Sequence, residues 1–389
     1  MSLSIPTTRS VSWRLLGAVL AACALLVLDV AQRAPLPPVA SAVVVAGSVV
    51  QNTDTLVEKA RGTIPMPDGM AAAHASTLLA MPANHSASLT AFWFAGDRES
   101  APNVQIAVSQ FDRATQQWTA ARLVVDRFFM GQQLGFGLRR LGNPVAWTDG
   151  GGRMHLFVVA TGWGGWAASR VLHLRQSSAG NRLAELAFEP VRVLPLSWLW
   201  NTSHLVRNAP MALEDGGMVL PVYFELGIKY PVALRFDRDG AFQGLTRMSQ
   251  FTHLLQPALV AQSPQQWLSL MRDVRPNGKI GVAQTLDGGV HWTDLPDLAL
   301  DNPDAAVAAI AAGAGNLLLV HNPSIDSRSA LDLSHSTDGE HWTHVKALEQ
   351  GVPPAEFSYP AMAWADGSLW VSYTAGRKRI AWQRFGVTP

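Results

Sequence analysis

Asp287-Gly288-Gly289-Val290-His291-Trp292 and Asp338-Gly339-Glu340-His341-Trp342 each follow an apolar stretch, and their aspartates stand 51 residues apart. In such a segment the Asp side chain accepts N–H groups of a tight turn, a glycine takes the positive φ, and the Trp fills the gap back to its own sheet. Weaker versions stand at Asp112–Trp118 and Asp237–Phe242, the latter 50 residues before Asp287. A chain that repeats one turn at this interval repeats one supersecondary unit. From about residue 70 onward that unit shows as paired apolar runs separated by Gly, Pro or Asp: 88–96 with 104–111, 154–162 with 170–177, 218–225 with 231–237, 266–273 with 280–287, 316–323 with 330–338, and 368–376 with 379–385. The six first members start 66, 64, 48, 50 and 52 residues apart, the spacing of a four-stranded blade and not of a sandwich strand. No such unit can bury both faces alone. The pattern predicts an all-β fold, a six-bladed β-propeller closed around an axis over 70–389, with few helices.

Ahead of it, Arg9 and Arg14 precede an apolar run from Leu15 to Leu28, closed by Asp29 and followed by the Pro-rich Ala34–Pro38. A basic flank, an apolar stretch and small residues make an export signal, and arginines on its N-terminal side put the body outside the cytoplasm. The run is shorter than the roughly twenty residues of a spanning helix. Three fates stay open: a retained signal anchor, cleavage after Ala40-Ser41-Ala42, or lipidation at Cys23 in the lipobox-like Leu20-Ala21-Ala22-Cys23. The expected division is a signal anchor or signal peptide over 1–33, a Pro/Ala-rich linker over 34–69, and the propeller over 70–389.

With 30 Lys+Arg against 29 Asp+Glu, the chain has no net charge with which to collect nucleic acid or coat an anionic bilayer, so any membrane contact is expected through the N-terminal segment. An apolar content of 48% excludes disorder, and a single cysteine excludes an intrachain disulfide, leaving core burial to supply stability. Twenty-five of the cations are Arg, which a GC-rich genome explains as readily as carboxylate recognition does. The eleven His form no H-x-x-x-H pair, and there is no G-x-G-x-x-G, P-loop or G-x-S-x-G. Neither metal nor cofactor is expected. Fourteen Trp against four Tyr suit blade packing, while Trp163-Gly164-Gly165-Trp166 and Trp198-Leu199-Trp200 sit in breaks where a ring can stack on a sugar face.

Besides the Asp boxes, as the Asp287–Trp292 and Asp338–Trp342 turns are called, the chain carries His74-Ala75-Ser76-Thr77, Phe94-Ala95-Gly96-Asp97-Arg98-Glu99, Arg207-Asn208-Ala209-Pro210, Leu220-Pro221-Val222-Tyr223-Phe224-Glu225 and Gln256-Pro257. It continues with Met271-Arg272, Asn322 with Arg328, and Ser358-Tyr359-Pro360 with Tyr373 and Arg377. As a set these make roughly residues 70–385 resemble the sialidase (neuraminidase) superfamily, in its bacterial Asp-box branch. The resemblance implies a sialidase-like propeller in which three arginines grip a substrate carboxylate, a Tyr assisted by a Glu attacks the anomeric carbon, and an Asp serves as acid/base. Guanidinium matches carboxylate bidentately, and a neutral Tyr avoids the repulsion that a carboxylate nucleophile would meet in an anionic substrate. Carried over, Arg272 and Arg328 match two family arginines, Tyr359 the nucleophile and Glu225 its helper. The family's Phe-Arg-Ile-Pro segment has no counterpart; His74-Ala75-Ser76-Thr77 stands in its place, and Arg98, Arg207 or Arg377 is left to supply the third cation. Asn103 stands where the acid Asp is expected, and an amide cannot give up a proton. Asp97 or Glu99 then takes that part, or the hydrolytic chemistry is altered or absent. Phe357 replaces a Tyr common before Ser-Tyr.

Three functions fit. The first is an extracytoplasmic sialidase-type hydrolase with an acidic glycan substrate, periplasmic and tethered to a bacterial inner membrane. The second is a polysaccharide lyase, in which Arg neutralises a uronate while Tyr359 or His74 moves the proton α to the carboxylate. The third is a propeller that binds envelope glycan without cleaving it. Each arginine could instead be a strut between blades, Tyr359 a packed edge-strand aromatic, and His74 a core histidine.

Overall fold

The computed structural model describes residues 12–32, 35–44 and 56–387, apart from 179, 181, 199, 277 and 314. Arg9, Leu199 and residues 45–55 of the expected linker lie outside the described residues. From 56 to 387 the chain forms six antiparallel sheets, the blades of a closed propeller. Each expected strand pair forms the second and third strands of a blade, as Ala87–Gly96 with Gln105–Asp112 does in the first and Met154–Thr161 with Ser169–Gln176 in the second. These second strands read as continuous apolar runs because neighbouring blades cover both faces, and Ala87–Gly96 and Met154–Thr161 are buried along their whole lengths. The core therefore lies between blades. Phe92, Val108, Leu156 and Leu174 join the first blade to the second, and Phe111, Trp370 and Trp382 join the sixth to the first. Each such side chain contributes about 1.5–3 kcal/mol on burial.

The ring closes through the N-terminal side of the chain. Leu56–Thr63 runs antiparallel to Arg379–Val387, with Leu56 facing Val387 and Thr63 facing Ala381, and becomes the outer strand of the sixth blade. The propeller thus starts at Leu56, which corrects the expected linker boundary at 69. The strand escapes an apolar-pattern reading because it is an edge: Glu58, Lys59 and Arg61 break its apolar character, as charges do on exposed edges.

The Asp boxes join third and fourth strands. Asp287 Oδ1 accepts from the backbone N–H groups of Val290 at 3.1 Å and His291 at 2.9 Å, and Asp338 Oδ1 from those of Glu340 at 2.8 Å and His341 at 2.7 Å. Trp292 and Trp342 each donate an indole N–H to a turn carbonyl, of Gly289 and Gly339, at 3.1 Å. Asp112 and Asp237 accept turn N–H groups at the same place in the first and third blades.

Trp13–Gln32 is a 20-residue helix with no buried residue, in which an 18-residue stretch has a mean hydropathy of 2.2, long and apolar enough by length and composition to cross a membrane. It outruns the apolar stretch Leu15–Leu28 at both ends. Residues 35–43 then strap the outside of the third and fourth blades: Leu245 N–H donates to the Pro35 carbonyl at 3.3 Å, Ala42 N–H to Pro264 at 2.7 Å, and Val43 N–H to Ala212 at 3.0 Å. Ala40 and Ala42 are buried against Leu213, Leu259 and Trp267. A short helix, Arg127–Leu134, links the first two blades; Asp126 caps it by accepting from the N–H groups of Phe128 at 2.8 Å and Phe129 at 3.2 Å.

Candidate functional site

The first strands of four blades are interrupted by bulges, at His74/Thr77, Gly142/Val145, Leu255/Ala258 and Ser358/Ala361. At each, one non-glycine residue takes a left-handed backbone: Ala75 (φ 54°), Asn143 (39°), Gln256 (49°) and Tyr359 (54°). Three of these precede a proline, Pro144, Pro257 and Pro360. A bulge re-aims the side chain it carries, and the strain of a left-handed bulky residue, of order 1–3 kcal/mol, persists only where the surrounding structure enforces it. Here Asn143, Gln256 and Tyr359 all turn into one axial cavity of about 290 Å³.

Glu99, at the turn after the second strand of the first blade, and Glu225 and Arg272, at the ends of the second strands of the third and fourth, reach the same cavity with His74 and Trp166. Gln256 is its hub. Its Nε2 donates to the hydroxyls of both Tyr223 and Tyr359 at 3.3 Å, and its Oε1 accepts from Arg272 Nη1 at 3.2 Å. Arg272 also donates through Nε to Asp304, whose backbone carbonyl accepts from Arg328. Arg328 lies 3.6 Å from Glu356, which accepts from Arg377 Nε at 2.8 Å, and Arg377 in turn pairs with Glu99.

Arg207 differs from these three. It is fully buried, donates only to the backbone carbonyls of Pro360 at 2.8 Å and Ser76 at 3.3 Å, and has no carboxylate within ion-pair distance among the described residues. Its guanidinium carbon sits 5.0 Å from the centre of the Tyr359 ring. Burial pulls its pKa down to about 10, so the group stays charged at neutral pH.

The other groups follow from burial and neighbours. Burial pushes the Glu225 carboxyl up, with Arg272 and Lys229 pulling it back, and pushes the Tyr223 hydroxyl up, aided by the charge of Glu225. For Arg272, burial is the largest single influence and works against the charge, but the hydrogen bond to Asp304 and the charges of Tyr359, Asp304 and Tyr223 together outweigh it. His74 is held neutral first by burial, then by the cations of Arg377, Arg207 and Arg328. Neither of its ring nitrogens has a hydrogen-bond partner among the described residues, and the ring packs 4.2 Å from that of Tyr359.

Of the residues singled out from sequence, Tyr359, Glu225, Glu99, His74 and Arg272 line the cavity. Arg207 lies beneath it, and Arg328 and Arg377 are joined to it through Asp304, Glu356 and Glu99. Asp97 and Arg98 are exposed and do not line it, a correction that follows from the turn itself: Asp97 N–H donates to Asn103 Oδ1 at 3.3 Å, which ties Asn103 to the loop and leaves Glu99 facing inward. Asn143, Tyr223, Gln256, Asp304 and Glu356 received no role from sequence. The recurring X-Pro after a strand start is the signal that would have found Asn143 and Gln256.

A profile of the BNR repeat-like domain family matches residues 87–371. No curated protein sequence matches the chain. Among solved structures, the Hadza microbial sialidase Hz136 superposes with a TM-score of 0.64 at 16% identity, over 80% of this chain and 65% of its own. The sialidase of Trypanosoma rangeli superposes with a TM-score of 0.63 at 14% identity, over 85% of this chain and 59% of its own. A protein of unknown function from Dyadobacter fermentans gives 0.62 at 12% identity, over 86% of this chain and 100% of its own. The chain thus spans less than two thirds of the length of either sialidase, and likeness at this identity establishes the fold. Fold, Asp boxes and family profile agree: the chain belongs to the BNR repeat-like family and is a sialidase-like six-bladed propeller.

Proposed function

We propose that the protein is an extracytoplasmic glycoside hydrolase of the sialidase type that releases a terminal acidic sugar, held at a membrane by the helix Trp13–Gln32. The observation that carries this reading is the convergence of Tyr359, Glu225 and Arg272 on one axial cavity above the unpaired cation of Arg207. Arg272 and Arg328 meet the sugar carboxylate from adjacent blades, displacing Asp304. The Tyr359 hydroxyl attacks the anomeric carbon and passes its proton to Glu225, whose carboxyl burial pushes up and so makes a better proton acceptor than an exposed one. The bond to the leaving oxygen breaks as Glu99 protonates it, and a glycosyl-tyrosine intermediate results. Water then attacks the same carbon, gives its proton to Glu99, and returns Tyr359 to the hydroxyl form with the proton held by Glu225. Arg207 stabilises the Tyr359 oxygen as it gains charge, and neutral His74 packs the ring in place.

One observation favours a second reading, a propeller that binds glycan without cleaving it. Glu99 is already paired with Arg377, and Arg272 and Arg328 are already met by Asp304 and Glu356. Turnover of an activated aryl sialoside separates the two. Wild type is expected to hydrolyse it, and Tyr359→Phe to bind the free sugar acid with little change while losing turnover. Equal rates in both would falsify the nucleophile assignment, and wild-type binding without turnover supports the second reading.

A further inference from the structure

The polar cavity opens at one end of the propeller, and exposed large apolar side chains gather among the loops around its mouth. Glu99, Glu225 and Arg272 stand where second strands end, so this end carries the second-to-third strand turns and the crossings from each blade to the next. The Asp boxes mark the opposite end. Between Leu56 and Val387 the exposed large apolar side chains gather on the mouth-side turns and crossings, save Val57, Val191 and Leu286. Trp163, 83% exposed, tips the second-to-third turn of the second blade; Phe128, 72% exposed, lies on the helix entering that blade; Trp200, 57% exposed, lies on the crossing that leaves it. Phe251, Ile325 and Val352 continue the series on later blades. Cations are interleaved: the Arg127 guanidinium lies 4.6 Å from the Phe128 ring centre, Arg139 4.2 Å from Trp163, and Arg170 4.8 Å from Phe136. Apolar exposure gathered on one face marks an interaction surface, and amphipathic Trp rings with Arg are the composition of a surface at lipid headgroup level.

The apolar helix meets the propeller at this same rim. Trp198, on the crossing that carries Trp200, donates its indole N–H to Asp29 near the end of the helix at 2.9 Å. Past Pro35 the strap runs down the outer edge of the third blade and reaches the Asp-box end, where Ala40 abuts Gly288. The helix therefore leaves the propeller on the mouth side. We propose that the propeller lies mouth-down on the bilayer that its helix enters, with the Trp163, Phe128 and Trp200 rim in a headgroup layer that contains anionic lipid. This placement rests on the helix as anchor and does not depend on the hydrolase reading; it points the cavity at groups displayed on the membrane itself.

Full-length protein reconstituted in vesicles of phosphatidylcholine and phosphatidylglycerol, with acyl chains brominated near the carbonyl, tests it through tryptophan fluorescence. Trp13, on the helix, reports insertion, while Trp163 and Trp200 report the rim. Wild type is expected to lose fluorescence at both. The Trp163→Phe/Trp200→Phe double variant loses most of the quenching, and the remainder, which Trp13 shares with the less exposed Trp198, falls further on adding Trp13→Phe. Phe128→Ser weakens rim quenching and leaves that of Trp13 unchanged. All three rim positions are exposed, so the variants keep the fold, which their thermal unfolding checks. Equal quenching of wild type and the double variant, or no quenching at all, overturns the proposal whatever the turnover of the protein.

Discussion

Arg207→Met separates a charge that serves the site from a charge that braces two blades. The fold keeps this guanidinium protonated although burial lowers its pKa from 12.5 to about 10, a cost of about 3 kcal/mol at 1.36 kcal/mol per pKa unit. Met removes that cost and fills similar volume, but leaves the Ser76 and Pro360 carbonyls without their donor, at about 1–3 kcal/mol each. The two effects largely offset, leaving between about 1 kcal/mol of gain and about 3 kcal/mol of loss in thermal unfolding. Catalysis has no such compensation. A negative charge growing on the Tyr359 phenol, whose ring centre lies 5.0 Å from the guanidinium carbon, is stabilised by about 3 kcal/mol at that separation and an effective dielectric of about 20, which corresponds to a rate factor of roughly 10². Initial rates on an aryl sialoside, corrected for folded fraction by near-UV circular dichroism, measure this. A variant that loses several kcal/mol of stability while each folded molecule turns over at the wild-type rate would refute the reasoning and make Arg207 a strut.

The remaining expectations concern the ion pairs, the turns and acid. Asp304→Asn frees Arg272 from its half-exposed carboxylate partner and should tighten a sugar acid by about 1 kcal/mol in calorimetric titration; unchanged or weaker binding excludes Arg272 from the carboxylate site. Asp338→Ala removes the acceptor of the Glu340 and His341 N–H groups and should cost about 1–2 kcal/mol in denaturant unfolding, with activity per folded molecule intact because the turn lies at the far end of the propeller. His204 titrates at about 4 in the folded chain because burial disfavours its charge, against 6.5 when unfolded, so the unfolded chain takes up the proton first. The stability is therefore complete above pH 6.5 and is lost as pH falls towards 4, up to about 3 kcal/mol, and His204→Leu should flatten that part of a melting-temperature profile.

Periodicity reveals what is local or repeated. An Asp box contains its own acceptor, glycine and Trp within one turn, so two copies at blade spacing are enough to find the propeller. The closing strand Leu56–Thr63 has neither property: its partner Arg379–Val387 lies at the other end of the chain, and its exposed face carries charge. The same division runs through the site. Tyr359, Glu225 and Arg272 stand at strand starts or ends, where topology sends a side chain to the axis, and could be named from the resemblance to the sialidase superfamily. Asp97, Arg98 and Glu99 are consecutive charges in a single turn, and the hydrogen bond from Asp97 to Asn103, which no spacing encodes, leaves Glu99 to face inward. That Arg207 lacks a carboxylate among the described residues is a property of three blades meeting, since its two acceptors lie in the first and the sixth.

The bulges show how a repeated fold yields a site that is not repeated. Ala75, Asn143, Gln256 and Tyr359 occupy equivalent places, each with the same left-handed backbone at the start of a first strand. Position is thus shared while side chains differ: a methyl, an amide, a second amide that ties two tyrosines to Arg272, and a phenol. The strain recurs even where the residue is Ala, whose side chain reaches nothing polar, so the bulge belongs to the blade and is not made for any one reaction. What sets the chemistry is the residue placed on each bulge. Exchanging Gln256 or Tyr359 should therefore alter the reaction while the propeller stands, whereas flattening a bulge would turn its side chain away from the axis and remove it from the cavity altogether.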